Sequence, residues 1–109
     1  MTTNKATLIL LKAILSENVG CGFWQFAVLI DYIMDNPDSF NSFRGKVYPF
    51  VAQQFDCKPR SVEKNISRLI PFVNCSRLSE LTGENIDIET LTVKKLVKYI
   101  LLYLKLNTV

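Results

Sequence analysis

Apolar positions recur every three or four residues along most of the chain, which is the spacing of amphipathic α-helices. The pattern predicts a first helix over residues 6–16 and a last helix over 93–106, with Thr92 as the N-cap of the last one. Residues 23–35 are apolar on almost all sides, as expected for a helix buried in the middle of a domain. There is no convincing strand pair or repeat. We therefore expect one all-α domain over residues 1–109, a compact bundle of about six helices.

The connections between these helices carry residues that break or cap a helix. Asn18-Val19-Gly20 is expected to end the first helix, because Gly and Asn favour the left-handed C-terminal cap. Residues 38–46 are predicted to form a polar loop in which Phe40 and Phe43 pack onto the core. A short helix over 76–81 is expected to be stopped by Thr82-Gly83.

Two short helices joined by a tight turn are predicted within residues 47–73. The turn contains Asp56, one of the few residues other than glycine that tolerate a positive φ. Pro59 fits the first turn of the second helix, which we expect over about residues 58–72 with an interruption near Pro71. This is the pattern of a helix-turn-helix, whose second helix enters the major groove of double-stranded DNA.

The second of these helices has an apolar stripe and a polar face on opposite sides. Lys64 points directly away from the stripe that contains Val62, Ile66 and Leu69, while Glu63 lies nearer the core side. In a helix-turn-helix, a polar face of this kind contacts base edges, and basic residues around it contact phosphates. The residues expected to face bases are Arg60, Ser61, Glu63, Lys64, Ser67 and Arg68, and those expected to face phosphates are Arg44, Lys46 and Lys58.

Charge supports this assignment through its distribution rather than its total. The formal net charge is only +3, but residues 44–77 contain seven bases and two acids, a net +5. The rest of the chain has six bases and eight acids, a net −2. A phosphate-binding surface needs this concentration of positive charge, although a solvated surface without a specific function has the same composition.

The remaining composition argues against other classes of site. Histidine is absent, and the three cysteines, Cys21, Cys57 and Cys75, contain no Cys-x-x-Cys pair, so a Cys/His zinc site is excluded. We expect these thiols to be partly buried in a reducing cytoplasm. No Gly-rich phosphate loop or catalytic constellation is present, so we expect no enzyme activity, no cofactor and no metal. No apolar run is long enough to cross a membrane.

The segment 45–70 combines Lys46-Val47, Tyr48-Pro49, Ala52, Phe55, Val62-Glu63, Lys64 and Ile66. In these positions it resembles the C-terminal DNA-binding effector domain of the master sporulation response regulator of endospore-forming bacteria, the stage 0 sporulation protein A family. A weaker similarity extends over the whole chain. The resemblance implies a six-helix domain built around a helix-turn-helix, sequence-specific DNA binding and control of transcription.

The resemblance also implies roles for single residues. In the family, the recognition helix reads bases through an arginine-x-glutamate-arginine pattern. Here Glu63 matches the glutamate, Lys64 the second arginine and Ser61 the first, while Ser67 corresponds to a family arginine on the next turn. Because lysine and serine lack the paired donors with which arginine grips guanine, we expect a different operator and a weaker sequence preference.

Further partners follow from the family alone. The region after the recognition helix, residues 74–81 here, is implied to contact the sigma subunit of RNA polymerase. Two copies are implied to bind repeated DNA sites as a homodimer. The family carries an N-terminal phosphoacceptor receiver, whereas this chain starts within the effector domain. We therefore expect either a freestanding protein or a receiver that lies outside this sequence.

Two other functions fit parts of the sequence. One is a protein-interaction module or antagonist that keeps the fold and has lost specific DNA binding. It is suggested by the missing arginines and by Leu102, which is either a lone exposed leucine or part of a subunit contact. The other is membrane-surface binding, because the last helix carries a lysine face, although we expect its apolar side to be core. That face consists of Lys94, Lys95, Lys98 and Lys105.

Overall fold

A computed structural model describes residues 4–15 and 20–106, and it confirms an all-α architecture of six α-helices. They are α1 (Lys5–Ile14), α2 (Cys21–Asp35), α3 (Tyr48–Gln54), α4 (Pro59–Ser67), α5 (Cys75–Thr82) and α6 (Val93–Leu106). Between them lie 3₁₀ helices at Pro37–Asn41 and Ile70–Phe72 and a π-helix at Phe43–Val47. Within the described ranges no strand forms, and an isolated antiparallel bridge joins Leu15 to Val73.

α2 is the centre of the fold because it is apolar around most of its circumference. It contacts α1, α3, α4 and α6, and its side chains Phe26, Leu29 and Ile30 are fully buried. This confirms the predicted central position of the helix, and Trp24 is an exposed exception. The buried apolar side chains form one connected cluster, to which α6 contributes Leu96, Val97, Ile100 and Leu104.

The first helix is shorter than predicted. α1 ends at Ile14 because Leu15 adopts an extended conformation and forms the bridge to Val73. At the other end of α1, the Asn4 side chain accepts a hydrogen bond from the amide of Ala6. The cap predicted at residues 18–20 lies partly outside the described residues. Its last residue, the glycine before α2, has a φ of +63°.

The predicted stop of α5 at Gly83 and the predicted N-cap of α6 are confirmed. α5 stops at Gly83, whose φ of +75° is the left-handed conformation that ends many helices. α6 begins after Thr92, whose hydroxyl oxygen accepts a hydrogen bond from the amide of Lys95 at 3.2 Å. None of the helices in the described part of the chain is long and apolar enough to cross a membrane.

The prediction of a polar loop over residues 38–46 is wrong, because this segment is helical. The 3₁₀ helix at Pro37–Asn41 and the π-helix at Phe43–Val47 lead directly into α3. Three aromatic rings pack edge to face along the segment, with centroids 5.7 Å and 5.6 Å apart, in the order Phe40, Phe43, Tyr48. This aromatic packing against the core gives the segment an order that its polar composition does not reveal.

Candidate nucleic-acid interface

α3 and α4 form a helix-turn-helix whose turn is shaped by Asp56. This residue has a φ of +52°, as the sequence led us to expect for the turn. The amide of Cys57 donates a hydrogen bond to the carbonyl of Ala52 at 3.0 Å, so the chain folds back directly at the end of α3. Pro59 occupies the first turn of α4, where its missing N–H leaves no helical bond unmade.

One side of α4 is buried against the body of the protein. Val62 and Ile66 of α4, and Leu69 just after it, are at most 2% exposed, and they belong to the predicted apolar stripe. α2 approaches α4 closely at Gly22, where an added Cβ would lie 3.1 Å from the carbonyl oxygen of Asn65. The absence of a side chain at Gly22 therefore allows the two helices to pack tightly, which orients α4 relative to the core.

The other side of α4 is polar and open to solvent. Five of the six residues predicted to face bases are exposed together there, and the sixth, Glu63, is half-buried. Within the described residues, none of the five side chains takes part in an ion pair or a side-chain hydrogen bond. Their donors are therefore available to a partner molecule. The five are Arg60, Ser61, Lys64, Ser67 and Arg68.

The helix that carries this face ends sooner than predicted. The helix expected over about residues 58–72 stops at Ser67, and Pro71 lies in the following 3₁₀ helix. Pro71 has no N–H to donate to the carbonyl of Ser67, so a regular helix cannot continue through it. Arg68 still keeps a helical position, because its amide donates to the carbonyl of Lys64 at 3.2 Å.

Arg44 and Glu63 form an ion pair between the π-helix and α4. The Arg44 Nε donates to the Glu63 Oε1 at 3.3 Å, and the two side chains are 88% and 36% exposed, respectively. A cleft of about 310 Å³ adjoins the pair and is also lined by Tyr48, Pro59 and Arg60. The structure thus joins a residue that was predicted to face phosphates to one that was predicted to face bases.

Tyr48, which lines the same cleft, stays protonated at neutral pH. Burial of the phenol and the negative charge of Glu63 raise the pKa of Tyr48 to about 12, against an opposing effect of the Arg44 charge. A phenol in the unfolded chain has a pKa of about 10. The neutral Tyr48 therefore contributes its full stabilisation below about pH 10, and this contribution is lost as the pH rises toward the folded-state pKa.

The other two residues predicted to face phosphates have different surroundings. Lys58 is exposed at the N-cap of α4, and its carbonyl accepts the amide of Ser61 at 3.0 Å. Lys46 is also exposed, but it lines a cleft of about 320 Å³ together with Asp35 and Asp38. Because nearby carboxylates compete with an anionic ligand for a lysine, Lys58 is better placed than Lys46 to bind a phosphate.

A buried polar contact between α2 and α4 is a feature that sequence reasoning missed. Gln25 is 3% exposed, and its Oε1 accepts a hydrogen bond from the Asn65 Nδ2 at 3.1 Å. Its Nε2 donates to the Cys57 Sγ in the turn at 3.8 Å. The signal in the sequence was a lone amide in a mostly apolar helix, in which Asp31 and Asp35 are the charged residues. The contact links α4 and the turn before it to α2.

Two of the three cysteines are less buried than predicted. Cys21 and Cys57 are exposed, because they lie at the start of α2 and in the turn before α4, and Cys75 is partly buried. Burial, and to a smaller extent the charge of Asp87, raise the pKa of the Cys75 thiol. In the part of the chain that is described, no group of three or more Cys, His, Asp or Glu residues could hold a metal ion.

A scan against protein-family models found no match, and searches of curated proteins and of solved structures found no similar protein or fold. Function therefore has to be inferred from the residues and geometry of this chain.

Proposed function

We propose that this protein binds double-stranded DNA in a sequence-dependent way, with α4 in the major groove. The observation that supports this most directly is that five exposed polar side chains at α4 take part in no ion pair or side-chain hydrogen bond within the described residues. A helix that needed its basic residues for folding would pair or bury them. Here the folding requirements are met by the opposite side, where Val62 and Ile66 are almost completely buried.

Under this proposal the residues on the outer face of α4 contact bases, and the residue at the start of the helix contacts a phosphate. Lys64 and Arg68 lie on the outer face and donate to base acceptors, above all to those of guanine. Ser61 and Ser67 are short donors and acceptors on the same face, which suits either base edges or bridging waters. Lys58, at the start of α4, neutralises a backbone phosphate.

The resemblance to the sporulation effector domain extends the proposal to control of transcription. On that basis the protein acts as a transcription regulator, two copies bind repeated sites, and the segment 74–81 contacts the polymerase sigma subunit. α5 begins at Cys75 and its residues Ser76 and Arg77 are exposed, so this segment is accessible to a protein partner. DNA binding does not depend on these additions and is tested separately.

The test of DNA binding is fluorescence anisotropy with a labelled duplex of random sequence, at about 50 mM and 200 mM salt. If Arg44 and Lys58 each neutralise one phosphate, the affinity is expected to fall about tenfold between the two conditions. Binding that does not weaken with salt would contradict the proposed phosphate contacts. No binding at the lower salt concentration would refute the proposal altogether.

A second candidate function is a protein-interaction module that has lost DNA binding, and an apolar groove favours it. The groove has a volume of about 490 Å³ and lies where the C-terminal half of α2 and the 3₁₀ helix at Pro37–Asn41 meet α6. Leu102 is one of its lining residues and is 37% exposed, so it is part of a larger apolar surface and not an isolated leucine. This alternative predicts a folded protein that does not bind a duplex at low salt.

A further inference from the structure

The ion pair between Arg44 and Glu63 is unequal in its exposure. Glu63 is on α4 and its side chain is 36% exposed, whereas the Arg44 side chain is 88% exposed. The contact uses only the Nε of Arg44, at 3.3 Å from the Glu63 Oε1. The half-buried carboxylate is therefore the fixed partner, and the long arginine side chain is the one that it orients.

The pair leaves most of the guanidinium group available. A guanidinium has five N–H donors in one plane, and the Nε uses one of them. The four donors on the two Nη atoms form the fork that matches the O6 and N7 acceptors of guanine. An ion pair this exposed contributes little to folding stability, so its main consequence is the direction in which the fork points.

The location of the pair is at the N-terminal part of α4. Arg44 and Glu63 line one cleft with Pro59 and Arg60, which begin that helix. In helix-turn-helix proteins, the N-terminal residues of the recognition helix contact base edges. An arginine that is supplied from the π-helix but held at this end of α4 is therefore within the proposed interface.

We propose that Glu63 is a positioning residue and that Arg44, held by it, reads a guanine. This inference rests on the proposed DNA-binding function and changes two of its assignments. Glu63, which the sequence led us to expect at a base edge, instead orients Arg44, and Arg44, which was expected to contact a phosphate, instead contacts a base. The DNA-reading surface then includes a residue outside the helix-turn-helix, which partly replaces the arginines that α4 lacks.

The test is a double-mutant cycle measured on two duplexes. A preferred duplex is first selected from a randomised library with the unaltered protein, and a scrambled duplex serves as the comparison. Affinities are then measured for Glu63→Gln, for Arg44→Ala and for the double variant, with Glu80→Gln on α5 as a control for the loss of one exposed negative charge. Thermal unfolding of each variant checks that it remains folded.

The sign of the Glu63→Gln effect distinguishes the possible roles. Removing a negative charge near DNA strengthens binding if the charge acts only through repulsion of phosphates. If Glu63 positions Arg44, the affinity for the preferred duplex falls about fivefold instead, and the same substitution no longer lowers the affinity when Arg44 is already alanine. Arg44→Ala is expected to lower the affinity for the preferred duplex about tenfold and to affect the scrambled duplex far less.

Several results would overturn the inference while leaving DNA binding intact. They are additive effects in the cycle, a tighter complex with Glu63→Gln and an equal loss on both duplexes with Arg44→Ala. The absence of any preferred sequence from the library would also contradict the sequence dependence of the proposed function. If the unaltered protein does not bind any duplex at low salt, the proposed function fails as well, and this outcome is distinct from the others.

Discussion

α4 and α6 are both amphipathic helices with basic outer faces, but their basic side chains have different surroundings. On α6, the Lys94 Nζ lies 5.1 Å from the centroid of the Phe40 ring, and the Lys95 Nζ donates to the carbonyl of Thr90 at 3.2 Å. On α4, Arg60 and Lys64 have no such partners among the described residues. Some of the lysines of α6 thus help to hold neighbouring segments, whereas the basic residues of α4 remain available.

The two helices also differ in what their apolar sides do. α6 places four residues in the core and adjoins an apolar groove, whereas α4 is a short helix mounted on α2 and α3. A basic face on an amphipathic helix is therefore not enough to identify a binding surface. What distinguishes the two helices is whether the charged groups already have partners in the folded protein.

The largest expected effect is the loss of stability when a buried residue of α4 or α6 is truncated, and it should be similar for the two helices. Ile66 of α4 and Ile100 of α6 are at most 1% exposed. Replacing either with alanine is expected to lower the free energy of unfolding by about 2–5 kcal/mol, because a cavity replaces packed methyl groups. Urea denaturation measures both. A loss below about 1 kcal/mol at Ile66 alone would mean that α4 is packed less firmly than its burial indicates.

The next prediction concerns the close approach of α2 to α4 at Gly22. Gly22→Ala is expected to lower the free energy of unfolding by about 1–3 kcal/mol, because the new Cβ would lie 3.1 Å from the Asn65 carbonyl oxygen. Gly45→Ala is the matched control, since nothing lies within 4 Å of its Cβ position and its φ is not positive. Equal effects of the two substitutions in urea denaturation would show that α2 can move away from α4 without loss.

Charge reversal is expected to lower the affinity for DNA much more on the basic face of α4 than on that of α6. Lys64→Glu is expected to weaken binding to a random duplex at least about tenfold, because it replaces an attraction to DNA with a repulsion. Lys98→Glu makes the same change on the exposed face of α6, beside the groove, and is expected to alter the affinity less than about twofold. Anisotropy at low salt measures both. Equal losses of affinity for the two variants would mean that the DNA-binding surface lies elsewhere or that DNA is attracted only by the net charge of the protein.

The smallest expected effect tests the structural role of a lysine on α6. Lys94→Met removes the charge over the Phe40 ring and is expected to lower the free energy of unfolding by about 0.5–1 kcal/mol. Lys98→Met is the control, because Lys98 does not lie over any aromatic ring of the described residues. If the two variants unfold at the same urea concentration, the contact of Lys94 contributes nothing measurable.

Much of the fold could be predicted because its signals are local. The positive φ of Asp56, the stop at Gly83 and the cap at Thr92 each depend on a residue and its immediate neighbours. The same is true of the exposed face of α4, since a helix with a buried stripe must direct its remaining side chains to solvent. The central position of α2 followed from a composition that no solvated helix has.

The helical segment before α3 could not be predicted, because its order comes from contacts outside it. The polar and glycine-containing stretch around residues 38–46 has no clear periodicity, and its regular structure depends on aromatic packing against the core. The position of Lys46 beside Asp35 and Asp38 follows from that structure. Lys46 was predicted to contact a phosphate because it is close to the motif in the sequence. That proximity does not reveal the two carboxylates.

The sequence by itself determined that 47–73 is a helix-turn-helix pattern with a basic outer face, because helical periodicity and turn chemistry are properties of neighbouring residues. Only the tertiary structure decided which of those residues already have partners. Glu63 pairs with Arg44, which is 19 positions away, and Asn65 bonds to Gln25, which is 40 positions away. Such pairs form when packing brings separate helices together, so no local pattern in the chain specifies them.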